Sequence, residues 1–174
     1  MALRGKSGSP SLMSNLVSLQ IMASGLKRNE RLMGVDLGTK TIGLALSDVE
    51  RRLASPLQTI KRTRFTADVA AMLDLTARYS VAGLVLGLPL NMDGSEGPRV
   101  QSTRAFVRNL VRHTAMPVAF WDERLSTAAV TRELIAQDVS RAKRAVIVDQ
   151  MAAAYILQGA LDRIARIEAE ASPG

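Results

Sequence analysis

Apolar residues along this chain fall in short blocks whose period changes from one block to the next. Leu32, Met33, Gly34 and Val35 run without a polar break into Asp36, and Gly38 ends the block. This predicts a buried strand with a carboxylate at its end. A tight turn, Gly38-Thr39-Lys40, leads into Ile42-Gly43-Leu44-Ala45-Leu46, a hairpin partner, and beyond the polar turn Asp48 to Arg52 the segment Ser55 to Ile60 supplies a third strand. The spacing then lengthens: Val69, Met72, Leu73 and Thr76 share one face of a helix from about Thr66 to Tyr79. Val81 to Leu88 is continuously apolar, as in a central strand covered on both faces.

Gly87 to Pro98 is loop chemistry, with three glycines and two prolines, and a loop this long in a compact domain is often functional. A helix from about Arg99 buries Val100, Thr103, Val107 and Leu110, and Pro117 to Trp121 forms another short strand. Ser126 is positioned to cap a helix running to about Gln137, and a last helix covers about Arg144 to Glu168. Three consecutive strands followed by alternating helices and strands define an α/β domain whose mixed sheet starts antiparallel.

The length of 174 residues suits one domain. Residues 1–29 hold Arg4, Lys6, Lys27 and Arg28 and no acid, so they are set apart as an N-terminal extension outside the domain. The domain is assigned to residues 30–169, with 170–174 as a tail. No run of about 18 apolar residues is present, which argues against a membrane span.

With no cysteine and His113 as the single histidine, zinc held by nitrogen or sulfur is disfavoured, and any metal must be held by oxygen, as magnesium or manganese is. The net charge of +7 favours polyanionic partners, nucleic acid first among them. Aromatic residues make up 3% of the chain, too few for a base-stacking platform, so recognition should rest on backbone and shape.

Three acids stand out. Asp36 closes an apolar strand, where it serves either as a ligand for a cation or as the cap of the Asp-Leu-Gly turn. Asp122 and Glu123 end the strand Val118–Trp121, and because neighbouring side chains alternate, only one can face Asp36. Glu123 is favoured, with Asp122 in support. Asp149 shares a helical face with Ala152, Ala153, Ile156 and Ala160, where it either joins the site or pairs with Lys143 or Arg144. Three carboxylates from separate elements suit a two-ion phosphodiesterase, whose metals sit about 3.5–4 Å apart. Arg104, Arg108 and Arg112, spaced by four, form a cationic stripe that either contacts phosphates or is simply solvated. Lys40, Arg124, Lys143 and Arg144 complete the candidate nucleic-acid contacts.

The stretches Asp36-Leu-Gly-Thr-Lys-Thr-Ile-Gly-Leu-Ala-Leu-Ser-Asp48, Gly87-Leu-Pro-Leu-Asn-Met-Asp-Gly-Ser-Glu-Gly97 and Asp122-Glu-Arg-Leu-Ser-Thr127, with Val148-Asp149-Gln150-Met-Ala-Ala after them, closely resemble the YqgF family from about Arg31 to Glu168. Its members are described as pre-16S rRNA nucleases and as Holliday junction resolvase-like proteins. The resemblance implies a ribonuclease H-like fold of five strands with flanking helices, a cytoplasmic protein, a role in maturing the 5′ end of 16S rRNA, and Asp36, Glu123 and Asp149 as the acidic site. Thr41 departs from the arginine common in the family. Two alternatives remain within the resemblance: a resolvase of four-way DNA junctions, expected to act as a homodimer rather than a monomer, and a non-catalytic nucleic-acid-binding protein of ribosome assembly. The Asp-Leu-Gly-Thr motif also opens the phosphate-binding hairpin of ATPases of the actin and sugar-kinase group, but those close two such domains and this chain has length for one.

Overall fold

The computed structural model describes residues 15–125 and 141–172, and the backbone alone for 141–146. Three strands come first, β1 (Arg31–Leu37), β2 (Thr41–Ser47) and β3 (Ala54–Lys61), preceded by a short helix α1 (Leu19–Gly25). Helix α2 (Phe65–Arg78), strand β4 (Val81–Leu88), helix α3 (Pro98–Leu110) and strand β5 (Val118–Asp122) follow. A 3-10 turn (Glu123–Leu125) ends β5, and a long helix α4 (Arg141–Ala171) closes the described chain. The helix expected from Ser126 to Gln137 lies outside the described residues.

The sheet order is β3-β2-β1-β4-β5. β1 runs antiparallel to β2 and β2 to β3, whereas β4 lies parallel to both β1 and β5. This is the five-stranded mixed sheet with an antiparallel start that the resemblance implies. Apart from Arg31 and Asp36 in β1, β1 and β4 are apolar because both of their faces are covered. On one face Met33, Val35, Leu84 and Leu86 pack with Val69 and Met72 of α2 and Phe106, Val107 and Leu110 of α3. On the other, Leu32, Val85 and Ala119 pack against Ala153, Ile156, Leu157 and Ala160 of α4. In α2 the buried stripe is Val69, Met72, Leu75 and Thr76, with Leu73 only partly covered.

The structure departs from the expected boundary at residue 30. Asn15 accepts a hydrogen bond from the Val118 amide at 2.8 Å, the Val17 amide donates to the Val118 carbonyl at 2.8 Å, and the Asn15 side-chain amide donates to the carbonyls of Thr114 and Met116 at 3.0 Å each. Met22 of α1 is 2% exposed and sits under Gly83. The positive charge at both ends of residues 1–29 set the whole stretch apart, but the apolar residues Leu16, Val17, Leu19 and Met22 within it decide their place, since β5 offers an open edge and an apolar face beside it. At the other end α4 continues to Ala171, two residues past the expected boundary, and it begins at Arg141 rather than Arg144.

Small residues let α4 lie directly on the sheet. A Cβ at Gly34 would stand 2.6 Å from the Ala153 carbonyl oxygen and 2.7 Å from the Leu157 Cβ, neither of which can rotate away. Gly34→Ala is therefore expected to lower unfolding free energy by about 1–3 kcal/mol through overpacking, read from urea denaturation, with no change in the m-value.

Candidate active site

Asp36 is the penultimate residue of β1 and is buried, with 4% of its surface exposed. Its antiparallel partner is Gly43. On the other side, the parallel register that pairs Val35 with Leu86 sets Asp36 beside Gly87. Asp36 thus has a glycine on each neighbouring strand, and each glycine is overlain by another acid. A Cβ at Gly43 would fall 2.1 Å from the Asp149 carbonyl oxygen and 3.0 Å from the Asp149 Cβ. One at Gly87 would fall 2.6 Å from Glu123 Oε1 and 2.5 Å from Ile156 Cδ1. Glycine inside a strand marks a close approach of this kind.

The Thr41 hydroxyl donates to the Asp149 carboxylate, which tethers that acid to the start of β2. Asp149 and Ile156 are two turns apart on α4, so the helix face that touches Gly43 also reaches Gly87. Glu123 and Asp149 are accordingly set against the two strands that flank Asp36. Among the described residues no three acids are closed into a ready-made set of metal ligands. The donor chemistry around Asp36 is nonetheless all oxygen, and the missing Cβ atoms leave room over the strand ends.

Asp122 is committed elsewhere. Its carboxylate accepts from Arg124 Nη2 at 2.7 Å, from Arg124 Nε at 3.1 Å and from the Arg124 amide at 3.0 Å. The Arg124 guanidinium holds this carboxyl below the ordinary aspartate range, and Asp122 in turn raises Arg124. Asp122 is thus paired with Arg124, whereas Glu123 lies over Gly87. Arg124 also donates to the Met92 carbonyl at 3.3 Å and packs on Gly94, which takes a positive φ of 86°. The loop from Pro89 to Gly97 is pinned in this way beside Glu123, and a cavity of about 350 Å³ lies between them, lined by Asn91, Met92, Arg99, Glu123 and Arg124 among others.

The remaining predicted cations are spread apart. Lys40 is exposed in the turn before Thr41. Arg104 forms an ion pair with Glu96, its Nε donating at 3.0 Å, and its guanidinium carbon sits 5.4 Å from the Phe120 ring centroid. The stripe expected to need an outside anion is therefore already neutralised at its first member. Arg108 and Arg112 are exposed further along. The side chains of Lys143 and Arg144 lie outside the described residues. The exposed His113 rests against the Phe65 ring, with centroids 5.5 Å apart. The other buried acid among the described residues, Asp68, accepts from the Thr63 amide at 3.1 Å and hydroxyl at 3.2 Å, a structural role at the entry to α2.

Reading the residues alone missed Thr41, Gly43 and Gly87. Their signal was present: a glycine within each of two apolar strands, at the level of a strand-end carboxylate.

Among known proteins, the family model described as RuvX, Holliday junction resolvase, matches residues 30–163. A protein of Methylocella silvestris named "Putative pre-16S rRNA nuclease" is 66% identical over 142 residues, spanning 82% of this chain and 88% of that one. Proteins with the same name from Beijerinckia indica subsp. indica and Rhizobium etli are 68% and 56% identical, over 78% and 86% of this chain and 82% and 91% of theirs. Solved structures similar to this chain include Thermus thermophilus RuvC, at 15% identity and TM-score 0.48 over 78% of this chain and 97% of that one. The yeast mitochondrial Holliday junction resolvase Ydc2 is 13% identical, with a TM-score of 0.47 over 87% of this chain and 86% of that one. No helix among the described residues is long and apolar enough to cross a membrane.

Two outcomes follow from this geometry. In Gly87→Ala the new Cβ meets only the far ends of Glu123 and Ile156, which can turn aside, so the fold should survive. Displacing Glu123 should then lower turnover by about 100-fold, the scale of a 1 Å misplacement, while circular dichroism stays unchanged. The second concerns acid. Because the folded Asp122 carboxyl is depressed, its contribution to stability is complete above the ordinary aspartate pKa of about 3.9 and fades as pH falls through the lowered value. Denaturation curves at stepped pH should show wild type losing more stability than Asp122→Asn over that acid window.

Proposed function

Since the chain belongs to the RuvX family, we propose that it is a cytoplasmic, metal-dependent nuclease that matures the 5′ end of pre-16S rRNA, with Asp36, Glu123 and Asp149 as its acidic site. The observation that carries this reading is the buried Asp36 between Gly43 and Gly87, each covered by one of the other two acids.

Asp36, Glu123 and Asp149 would hold magnesium or manganese, which when bound supplies a water of lowered pKa and a Lewis acid for the phosphodiester. The chain's own residues prepare that chemistry. Burial in β1 fixes Asp36, so a cation finds a carboxylate that need not be ordered on binding. Thr41 restrains Asp149, and the 3-10 turn brings Glu123 over the backbone of β4. Arg124 holds the Pro89–Gly97 loop as a wall beside the acids, and the net charge of +7 concentrates a polyanionic substrate around them.

The test is cleavage of a precursor 16S rRNA fragment and of a four-way DNA junction in parallel, with magnesium or manganese. The expected result is cutting of the RNA at a discrete 5′ position and a fall to background in Asp36→Asn, with the melting temperature within a few degrees of wild type. Cutting of the junction alone would move the substrate to DNA. Binding of RNA without cleavage in either metal would sink the nuclease reading.

A further inference from the structure

A second cavity, also about 350 Å³, opens between the turn after β1 and the start of α3. Gly38, Thr39, Arg62, Arg99 and Ser102 line it with no acid among the lining residues. Arg62 Nη1 donates to the Gly38 carbonyl at 2.7 Å, and the Arg62 guanidinium carbon lies 5.8 Å from the Phe106 ring centroid. A neutral carbonyl and an aromatic face hold this cation in place without cancelling its charge. Among the described residues no ion pair joins Arg62 or Arg99 to an acid. Arg104, by contrast, is already neutralised by Glu96.

The two cavities share Pro98 and Arg99. One touches Glu123, and the other begins at Leu37 and Gly38, immediately after Asp36. A chain of phosphates crossing the acids therefore meets Arg99 and then Arg62. Farther along α3, at about 1.5 Å per residue, Arg108 stands roughly 13 Å from Arg99. A guanidinium with spare donors, fixed before binding, suits a phosphate and loses little freedom on taking one.

We propose that the cavity lined by Arg62, Arg99, Thr39 and Ser102 is a subsite for a backbone phosphate of the nucleic-acid substrate, next to the phosphodiester that is cut. The proposal rests on the nuclease reading for its substrate, but its test reads binding and not cleavage.

The experiment titrates full-length protein with a precursor 16S rRNA fragment in EDTA at stepped potassium chloride concentrations. Arg62→Gln and Arg99→Gln should each reduce the slope of log affinity against log salt by about 1 and weaken binding about tenfold at 0.1 M salt. Arg78→Gln, in the exposed pair with Asp74 at the end of α2, should leave the slope unchanged. Should Arg62→Gln fail to fold, the exposed Arg99 decides, with Arg62→Lys testing the fixed fork. Unchanged slopes in both the Arg62 and Arg99 variants overturn the subsite, even if wild type cuts RNA with magnesium. Reduced slopes in a protein that binds but does not cut support the subsite while the nuclease reading falls. Failure of wild type to bind RNA overturns both.

Discussion

The contact of α4 with bare strand backbone governs this molecule. Gly34, Gly43 and Gly87 present no side chain to the helix, and Ala153 and Ala160, each fully buried, present the smallest one. At Gly34 and Gly43 the helix settles at a distance that no Cβ would permit. Because interiors are packed to crystal-like density, that distance is not adjustable at one end alone. The same plane of contact that seals the apolar layer under Leu157 and Ile156 thereby decides how far Asp149 stands from β2 and what room Glu123 has over β4. Core packing and acid placement are a single constraint, and a buried carboxylate at the end of β1 sits where the layer stops.

Charge is distributed to serve position more than stability. Glu96 binds Arg104, and Asp122 binds Arg124, which reaches back to Met92. One ion pair holds the far end of the Pro89–Gly97 loop and the other its middle. Exposed pairs of this kind contribute little to folding, about 0–1 kcal/mol. Their effect here is to hold a glycine-rich loop, with Gly94 in a left-handed conformation, against the turn that carries Glu123.

Much of this was legible in the residues because the physics is local. Continuous apolar runs marked β1 and β4 as covered on both faces, and the change to helical spacing placed α2 and α3 within a residue or two. Asp36 was visible as a polar break in an apolar block, and alternation along a strand said that Asp122 and Glu123 could not both face it. What escaped depends on contacts between distant segments. Residues 1–29 were set apart as a whole by their unbalanced positive charge, yet within them the uncharged Asn15–Gly25 finds a place for its apolar residues at the edge of β5. Arg104 looked unneutralised because no acid lies between Glu96 and Asp122, yet Glu96 itself reaches it across eight residues. Gly43 was read as an ordinary strand position and Gly87 as the start of a loop, since their meaning appears only when α4 and the Glu123 turn are laid across them.

The strand-like pairing of residues 15–17 with Val118 has a bearing on self-assembly. A five-stranded sheet has two rims, and on this one the rim at β5 is paired at Val118 with the chain's own N-terminal segment. Among the described residues that leaves the rim at β3, where Pro56 lacks an amide hydrogen and the pairing with β2 shifts register. The Asn15–Val17 segment thereby covers part of an edge that would otherwise be open to another strand.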